Sequence, residues 1–308
     1  MERQHNKTRP ARPLRAALLC TLLGATACSQ QTPDHGFNPP IGKPAYREGA
    51  GPVIAIDEAH HNFHTAGGRY SPFARLLRRD GYRVRENKQP LSAGALADVG
   101  ILVISNALAE RNADGNWTLP TPPAFTGEEV QALRQWVEAG GSLLLIADHM
   151  PFPGAVANIA QAFGVTYSNG FARAKEARDG RLFFRREDGG LKDHTITAGI
   201  GCVVSFTGSA FRAENAEPLL ALGSNVESLE PVQAWRFVEG TPRVPVGGWL
   251  QGAALTRGKG RVAVFGEAAM FSAQLADALR SPMGMNDPAA VENPRFLLNV
   301  VHWLSRAE

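Results

Sequence analysis

The chain has 308 residues, 44% of them hydrophobic, which is enough to bury a sizeable core, and it carries 32 Lys+Arg against 29 Asp+Glu. Five basic groups and one acid lie in residues 1–27, so the remainder is close to −1 in net charge, and binding of nucleic acid by a basic surface is excluded. Of the three cysteines, Cys20 and Cys28 belong to the N-terminal leader and its edge, so Cys202 stands alone and neither an internal disulfide nor a four-thiolate metal site is possible.

Residues 1–27 read as a targeting segment. Arg3, Lys7, Arg9, Arg12 and Arg15 precede the apolar run Ala16 to Leu23, which is too short to span a bilayer. Gly24-Ala25-Thr26-Ala27 then leads to Cys28, a pattern resembling a bacterial lipoprotein signal with Cys28 as the lipidated residue. An ordinary secretory signal cleaved near Ala27 is the alternative, and on either reading the mature protein is exported. Residues 28–50 are polar and Pro-rich, and are expected to tether a domain spanning 51–308.

That domain alternates strand and helix, which predicts α/β with a mostly parallel sheet. Val53-Ile54-Ala55-Ile56 is a buried strand. Phe73, Leu76 and Leu77 share one face of a helix over 70–79, closed by Asp80-Gly81. Tyr82 to Arg85 alternates as an edge strand, and a short helix is expected near 93–98. Ile101 to Ile104 is a third strand, followed by about twenty residues of polar loop with the character of a functional lid. Thr126-Gly127-Glu128-Glu129 is a capping box opening a helix that ends at Gly140-Gly141. Leu143 to Ile146 is a fourth strand and 155–163 a helix. Residues 165–255 are β-rich and irregular, an elaboration of the same domain. Arg261 to Phe265 is a further strand, and Asn293-Pro294 opens a terminal amphipathic helix.

Four of these strands stop in polar residues: Asp57-Glu58 with His60, His61, Asn62 and His64; Ser105-Asn106; Asp148-His149; and Gly266-Glu267. In a parallel sheet such ends share one edge, where ligands of open α/β sheets bind. Asp57, His61, His64 and His149 offer mixed nitrogen and oxygen donors for a divalent metal such as zinc, able to activate a water. The alternative is acid–base catalysis without metal, by Asp57, His61, Asp148, His149 and Glu267. Glu58, His60, Asn62, Ser105, Asn106 and His194 are the expected ligand contacts. No GxSxG is present, and Cys202 lies in an apolar strand-like run where a core thiol is expected.

Asp57-Glu58-Ala59-His60, Tyr70 to Leu77 and Asp80-Gly81-Tyr82 resemble the opening of the class I glutamine amidotransferase-like superfamily. The resemblance is to a bacterial lipoprotein branch related to trehalose-utilisation (ThuA-like) proteins and to the amidotransferase-like domain of an intraflagellar-transport protein. His194-Thr195-Ile196-Thr197-Ala198-Gly199 is similar to the superfamily's His-Pro-Ile-Thr-x-Gly segment, and Gly258 to Gly266 to its closing strand. The resemblance implies a flavodoxin-like α/β sandwich. Amidotransferases carry a nucleophilic Cys after the strand that here is Leu143 to Ile146. Asp148-His149 stands there instead, so glutamine amidotransferase activity is not expected. The sequence thus leads to two expectations. One is an exported, membrane-tethered domain that binds, and is equipped to hydrolyse, a small polar ligand such as a sugar or envelope glycan. The other is a non-catalytic module that binds a protein partner in the envelope.

Overall fold

The computed structural model describes residues 31–177 and 179–307. The leader and Cys28 lie outside the described residues. In chain order the strands are β1 (Thr32–Pro33), β2 (Val53–Asp57), β3 (Arg83–Asn87), β4 (Ile101–Ser105), β5 (Ser142–Ile146), β6 (Val165–Tyr167), β7 (Phe171–Ala174), β8 (Leu182–Arg185), β9 (Cys202–Ser205), β10 (Phe211–Ala213), β11 (Glu217–Ala221), β12 (Val226–Leu229), β13 (Arg243–Pro245), β14 (Leu250–Arg257), β15 (Gly260–Phe265), β16 (Ala273–Ala276) and β17 (Ser281–Gly284). The α-helices are α1 (Ser71–Arg79), α2 (Glu110–Ala113), α3 (Gly127–Ala139), α4 (Phe152–Ala155), α5 (Ala157–Ala162) and α6 (Asn293–Ser305).

Strands β3-β2-β4-β5-β15 run parallel in that order, the doubly wound arrangement of a flavodoxin-like sheet. Runs such as Leu143-Leu144-Leu145-Ile146 are apolar throughout because both faces are covered. Leu144 and Ile146 pack with Phe73 and Leu77 of α1 and Phe296, Leu297 and Val300 of α6. Leu143 and Leu145 pack on the other face with Leu133 and Val137 of α3 and Ile159 of α5. The expected α/β class with a mostly parallel core sheet is the observed one. The β-rich elaboration is also present: β14 returns antiparallel beside β15, β10, β6 and β11 extend that edge, and β13-β12-β7 and β8-β9 form separate small sheets.

The differences from expectation are local. β3 begins at Arg83 rather than Tyr82, because Tyr82 turns into the core and its hydroxyl meets Ser305 Oγ at 2.8 Å. Residues 93–98 form turns rather than a helix. The helix expected over 155–163 starts earlier, at Phe152, and is broken between α4 and α5. The expected tether, where described, is laid on the domain. Thr32 and Pro33 pair with Leu275 and Gln274 of β16. Phe37, Ile41 and Tyr46 pack on the core, and the Arg75 guanidinium donates to the carbonyls of Asp34 and Phe37. Proline hides this from a reading of composition, since it marks a segment without regular structure whether or not that segment is docked.

Candidate functional site

The residues that follow β2 divide into two clusters. In the first, the His60 imidazole lies between two carboxylates, with Nδ1 2.8 Å from Asp57 Oδ2 and Nε2 2.9 Å from Glu129 Oε1. Both nitrogens must donate to satisfy both oxygens, so the ring is held as an imidazolium. Burial works against that charge, but the Asp57 and Glu129 carboxylates outweigh it and raise the His60 pKa. Glu129 is the capping residue of α3. It accepts the Thr126 N–H through Oε2 and the Leu91 N–H through Oε1. Its burial opposes ionisation, yet those backbone donors and His60 together hold its carboxyl below the usual range. Asn62 completes the set: its Oδ1 accepts the His60 N–H and its Nδ2 donates to the Ser105 carbonyl. Every principal polar atom here has a partner, and the cluster clamps the β2–α1 loop to β4 and to the start of α3.

The second cluster lines a cavity of about 70 Å³ at the C-terminal ends of the parallel strands. Phe63 and His64 arrive after β2, Asn106 after β4, Asp148 and His149 after β5, and Glu267 after β15. Trp117 comes from the long loop, Phe152 from α4, Thr207 and Trp235 from the β-rich elaboration, and Gln31 and Gln274 from the β1–β16 pair. Asn106 holds a left-handed backbone (φ 50°) that turns it from strand to cavity, and its Oδ1 accepts the Asp148 N–H at 2.9 Å. Trp235 is also left-handed (φ 66°), uncommon for so bulky a residue, and such outliers concentrate at functional sites. A Cβ on Gly266 would lie 2.4 Å from the Ser209 carbonyl, so only glycine lets the end of β15 pass that close and present Glu267.

Burial dominates the electrostatics of the cavity. Burial pushes the Glu267 carboxyl well above the usual carboxylate range and the charge of Asp148 adds to this. The N–H groups of Met270 and Ala269, both 2.7 Å away, pull less strongly the other way. Burial, and then the nearby Arg69 and His149, hold the His64 pKa well below that of a free imidazole. Burial lowers His149 too, against the pull of Asp148. His149 Nδ1 is 2.7 Å from the Met150 carbonyl, which can only accept, so Nδ1 carries the proton and Nε2 keeps its lone pair. The ring is stacked on Phe171 at 4.4 Å and meets Trp235 edge-on at 4.6 Å, which fixes it.

What sets this cavity apart is its unpaired polar atoms. Both ring nitrogens of His64, Asn106 Nδ2, Trp117 Nε1, Trp235 Nε1 and Gln274 Oε1 are buried without a hydrogen-bond partner among the described residues. Buried polar groups are almost always paired, and each exception needs a reason. Others occur elsewhere among the described residues, but six such atoms share this one aromatic-walled space.

Of the expected site residues, the structure brings together His64, Asn106, Asp148, His149 and Glu267. Asp57 and His60 belong to the clamp, not the cavity, because His60 Nδ1 is taken by Asp57 and His60 Nε2 by Glu129. Asn62 supports that clamp. Ser105 is buried at the end of β4 without lining the cavity. Glu58 bends back to accept the Ala66 N–H at 2.7 Å. His61 is exposed on a left-handed turn. His194 is at the far edge of the sheet, where Nδ1 caps the turn at Ile196 and the ring meets Trp303. The expected zinc-type set of Asp57, His61, His64 and His149 is therefore not assembled. Among the described residues no group of three or more His, Cys, Asp or Glu is placed to hold a metal. Phe63, Trp117, Phe152, Thr207, Trp235 and Gln274 were not foreseen. Only Trp117 carried a signal, as an aromatic in the middle of a polar loop long enough to be a lid.

No protein-family model matches the sequence, and no curated protein matches it. Solved structures do. The chain is similar to the mmIFT52 N-terminal domain, with a TM-score of 0.54 and 16% identity over 82% of this chain and 96% of that one. The likeness is one of fold. The chain also matches the cytoplasmic protein STM1381 from Salmonella typhimurium LT2, with a TM-score of 0.47 and 16% identity over 82% of this chain and 99% of that one. A protein described as ThuA-like from Bacteroides uniformis matches with a TM-score of 0.46 and 11% identity, over 88% and 95% of the two chains.

Proposed function

We propose that this chain is an exported, membrane-tethered protein whose strand-end cavity binds a small polar ligand, a sugar or a unit of envelope glycan, and hydrolyses it by acid–base chemistry. The observation that carries this reading is the gathering of unpaired buried donors and acceptors around Asp148 and Glu267. Aromatic walls from Phe63, Trp117, Phe152 and Trp235 offer apolar faces to ring C–H groups, while the unpaired N–H groups await hydroxyl or carbonyl oxygens. The volume takes a few water-sized groups, so a ligand enters by one terminal unit.

Glu267, whose carboxyl burial pushes toward the protonated form, is the acid. Asp148 is the base. In hydrolysis Glu267 passes its proton to the leaving oxygen as the bond to that oxygen breaks, and Asp148 takes a proton from the water that adds. Neutral His64 and the Nε2 lone pair of His149 orient the ligand.

The test is calorimetric titration with mono- and disaccharides, alongside turnover of an aryl-glycoside and aryl-ester panel. Asp148→Asn and Glu267→Gln should abolish turnover, with binding weakened less. Saccharide binding or turnover that both variants leave unchanged would remove the cavity from the function.

A further inference from the structure

Among the unpaired atoms of the cavity, Asn106 Nδ2 is held in place by every other polar atom of its own residue. Asn106 is 1% exposed and forms the left-handed turn at the end of β4. Its N–H donates to the Ile146 carbonyl at 3.0 Å, and its carbonyl accepts the Phe63 N–H at 2.9 Å. Its Oδ1 accepts the Asp148 N–H, also at 2.9 Å. Turning the carboxamide to give Nδ2 a protein partner would break that last bond. The residue that fixes the Asp148 backbone thus keeps one amide donor free in the cavity Asp148 lines.

Two further nitrogens share this character. Trp117 Nε1 and Trp235 Nε1 are buried and unpaired, and an indole nitrogen, like a carboxamide nitrogen, can only donate. Three donor-only groups around one small space fit an oxygen with free lone pairs and no proton to place, which is a carbonyl oxygen. An anion fits poorly. Among the described residues no Lys or Arg lines the space, and the Arg69 guanidinium stacks on the Phe63 ring, 3.8 Å from its centroid. Burial favours the neutral form of both lining imidazoles, and Asp148 and Glu267 already supply two carboxyl groups. Size narrows the class further. A space of about 70 Å³ holds a few water-sized groups. A sugar ring is too large for it, whereas an acetyl substituent fits, with its methyl against the Phe63 and Phe152 rings.

We propose that the cavity is an acyl-ester site, that its substrate is an O-acetylated sugar, and that Asn106 Nδ2 is a catalytic donor to the acyl oxygen. The proposal rests on the hydrolytic reading of the cavity and names the bond that is cut. Asp148 takes a proton from water as the water oxygen adds to the acyl carbon. The carbonyl oxygen becomes an oxyanion, held by Asn106 Nδ2 and the two indole N–H groups. When the carbonyl re-forms, the ester C–O bond breaks and Glu267 passes its proton to the departing sugar oxygen. Acetic acid and a free sugar hydroxyl result, and exchange with water returns the proton from Asp148 to Glu267. A glycosidic bond carries no carbonyl, so its cleavage would develop no such oxyanion and leave these donors without a catalytic task.

The experiment offers the full chain glucose pentaacetate and, separately, cellobiose, and follows release of acetate and of glucose. Acetate should be released and cellobiose left intact. Asn106→Asp keeps an oxygen for the Asp148 N–H and tolerates the left-handed turn, but loses the donor. It should lower kcat for acetate release by about 100- to 1,000-fold with KM little changed. A readout without substitution is the nitrogen-15 spectrum of the unaltered protein. The Asn106 side-chain amide and the Trp117 and Trp235 indole signals should shift with N-acetylglucosamine, which carries an unreactive acetyl group, and less with glucose. Acetate release that Asn106→Asp leaves unchanged, or equal shifts with the two sugars, would overturn the proposal. Cellobiose cleavage or saccharide binding without acetate release would sink the ester assignment alone. Absence of binding and of turnover for every sugar would remove the hydrolytic reading with it.

Discussion

Two histidines four residues apart, His60 and His64, leave the same strand and meet opposite fates. His60 is gripped by two carboxylates at 2.8 and 2.9 Å and is charged; His64 is buried, neutral and unpaired at both nitrogens. The first belongs to the scaffold and the second to the site. Residue type does not tell them apart, nor does burial, since both are nearly inaccessible. Partner satisfaction does. A fully paired polar cluster has nothing left to offer a ligand, while an unpaired one has already incurred the desolvation cost of binding.

One substitution made at both positions tests this contrast most sharply. His60→Phe leaves Asp57 and Glu129 buried without their shared cation, and unfolding in urea should show a loss of about 3–5 kcal/mol. His64→Phe removes two unpaired nitrogens and keeps a ring. It should leave stability unchanged or raise it by up to about 1–3 kcal/mol, while saccharide binding is lost. Equal destabilisation by the two changes would break the division between clamp and cavity.

The pH dependence separates the clusters next. Because the folded pKa of His60 is raised, its contribution to stability is full below about pH 6.5, the ordinary histidine value, and is lost as pH rises through the folded value. Glu129, whose pKa is lowered, contributes fully above about pH 4.3 and loses that contribution as pH falls through its folded value. The urea midpoint should therefore peak between these limits, and in His60→Gln its alkaline decline should flatten. In the cavity, Asp148→Asn removes the charge that helps raise Glu267. The Glu267 carbon-13 titration should then move to lower pH.

The smallest effect is expected at Trp235→Phe. The ring that packs on His149 and Phe171 is largely retained and the unpaired N–H is lost. Stability should change by less than about 1 kcal/mol and ligand affinity should fall about tenfold, the worth of one hydrogen bond. An unchanged affinity would show that the indole N–H serves packing alone.

Much of the frame was legible in the sequence. Four-residue apolar runs such as Leu143 to Ile146 have no polar face, and only a strand covered on both sides can use them. The capping box at Thr126 formed in both its halves. The change from apolar to ionisable residues at Asp57, Asn106, Asp148 and Glu267 correctly marked one edge of the sheet as polar. What local pattern could not carry was the assignment of side chains within that edge. Glu129 read as a helix cap, and its contact with His60, 69 residues away, depends on how α3 packs beside β4.

The sequence by itself determined the parallel strands, their order of appearance and the chemistry available where they stop, because alternation, burial and capping act over a few neighbouring residues. Only the tertiary structure decided which of those groups are spent on one another and which remain unpaired around a cavity. Hydrogen-bond pairing across 40 to 200 residues follows from packing, and packing also drew Trp117, Trp235 and Gln31 to the same space from segments that carried little or no local sign of it.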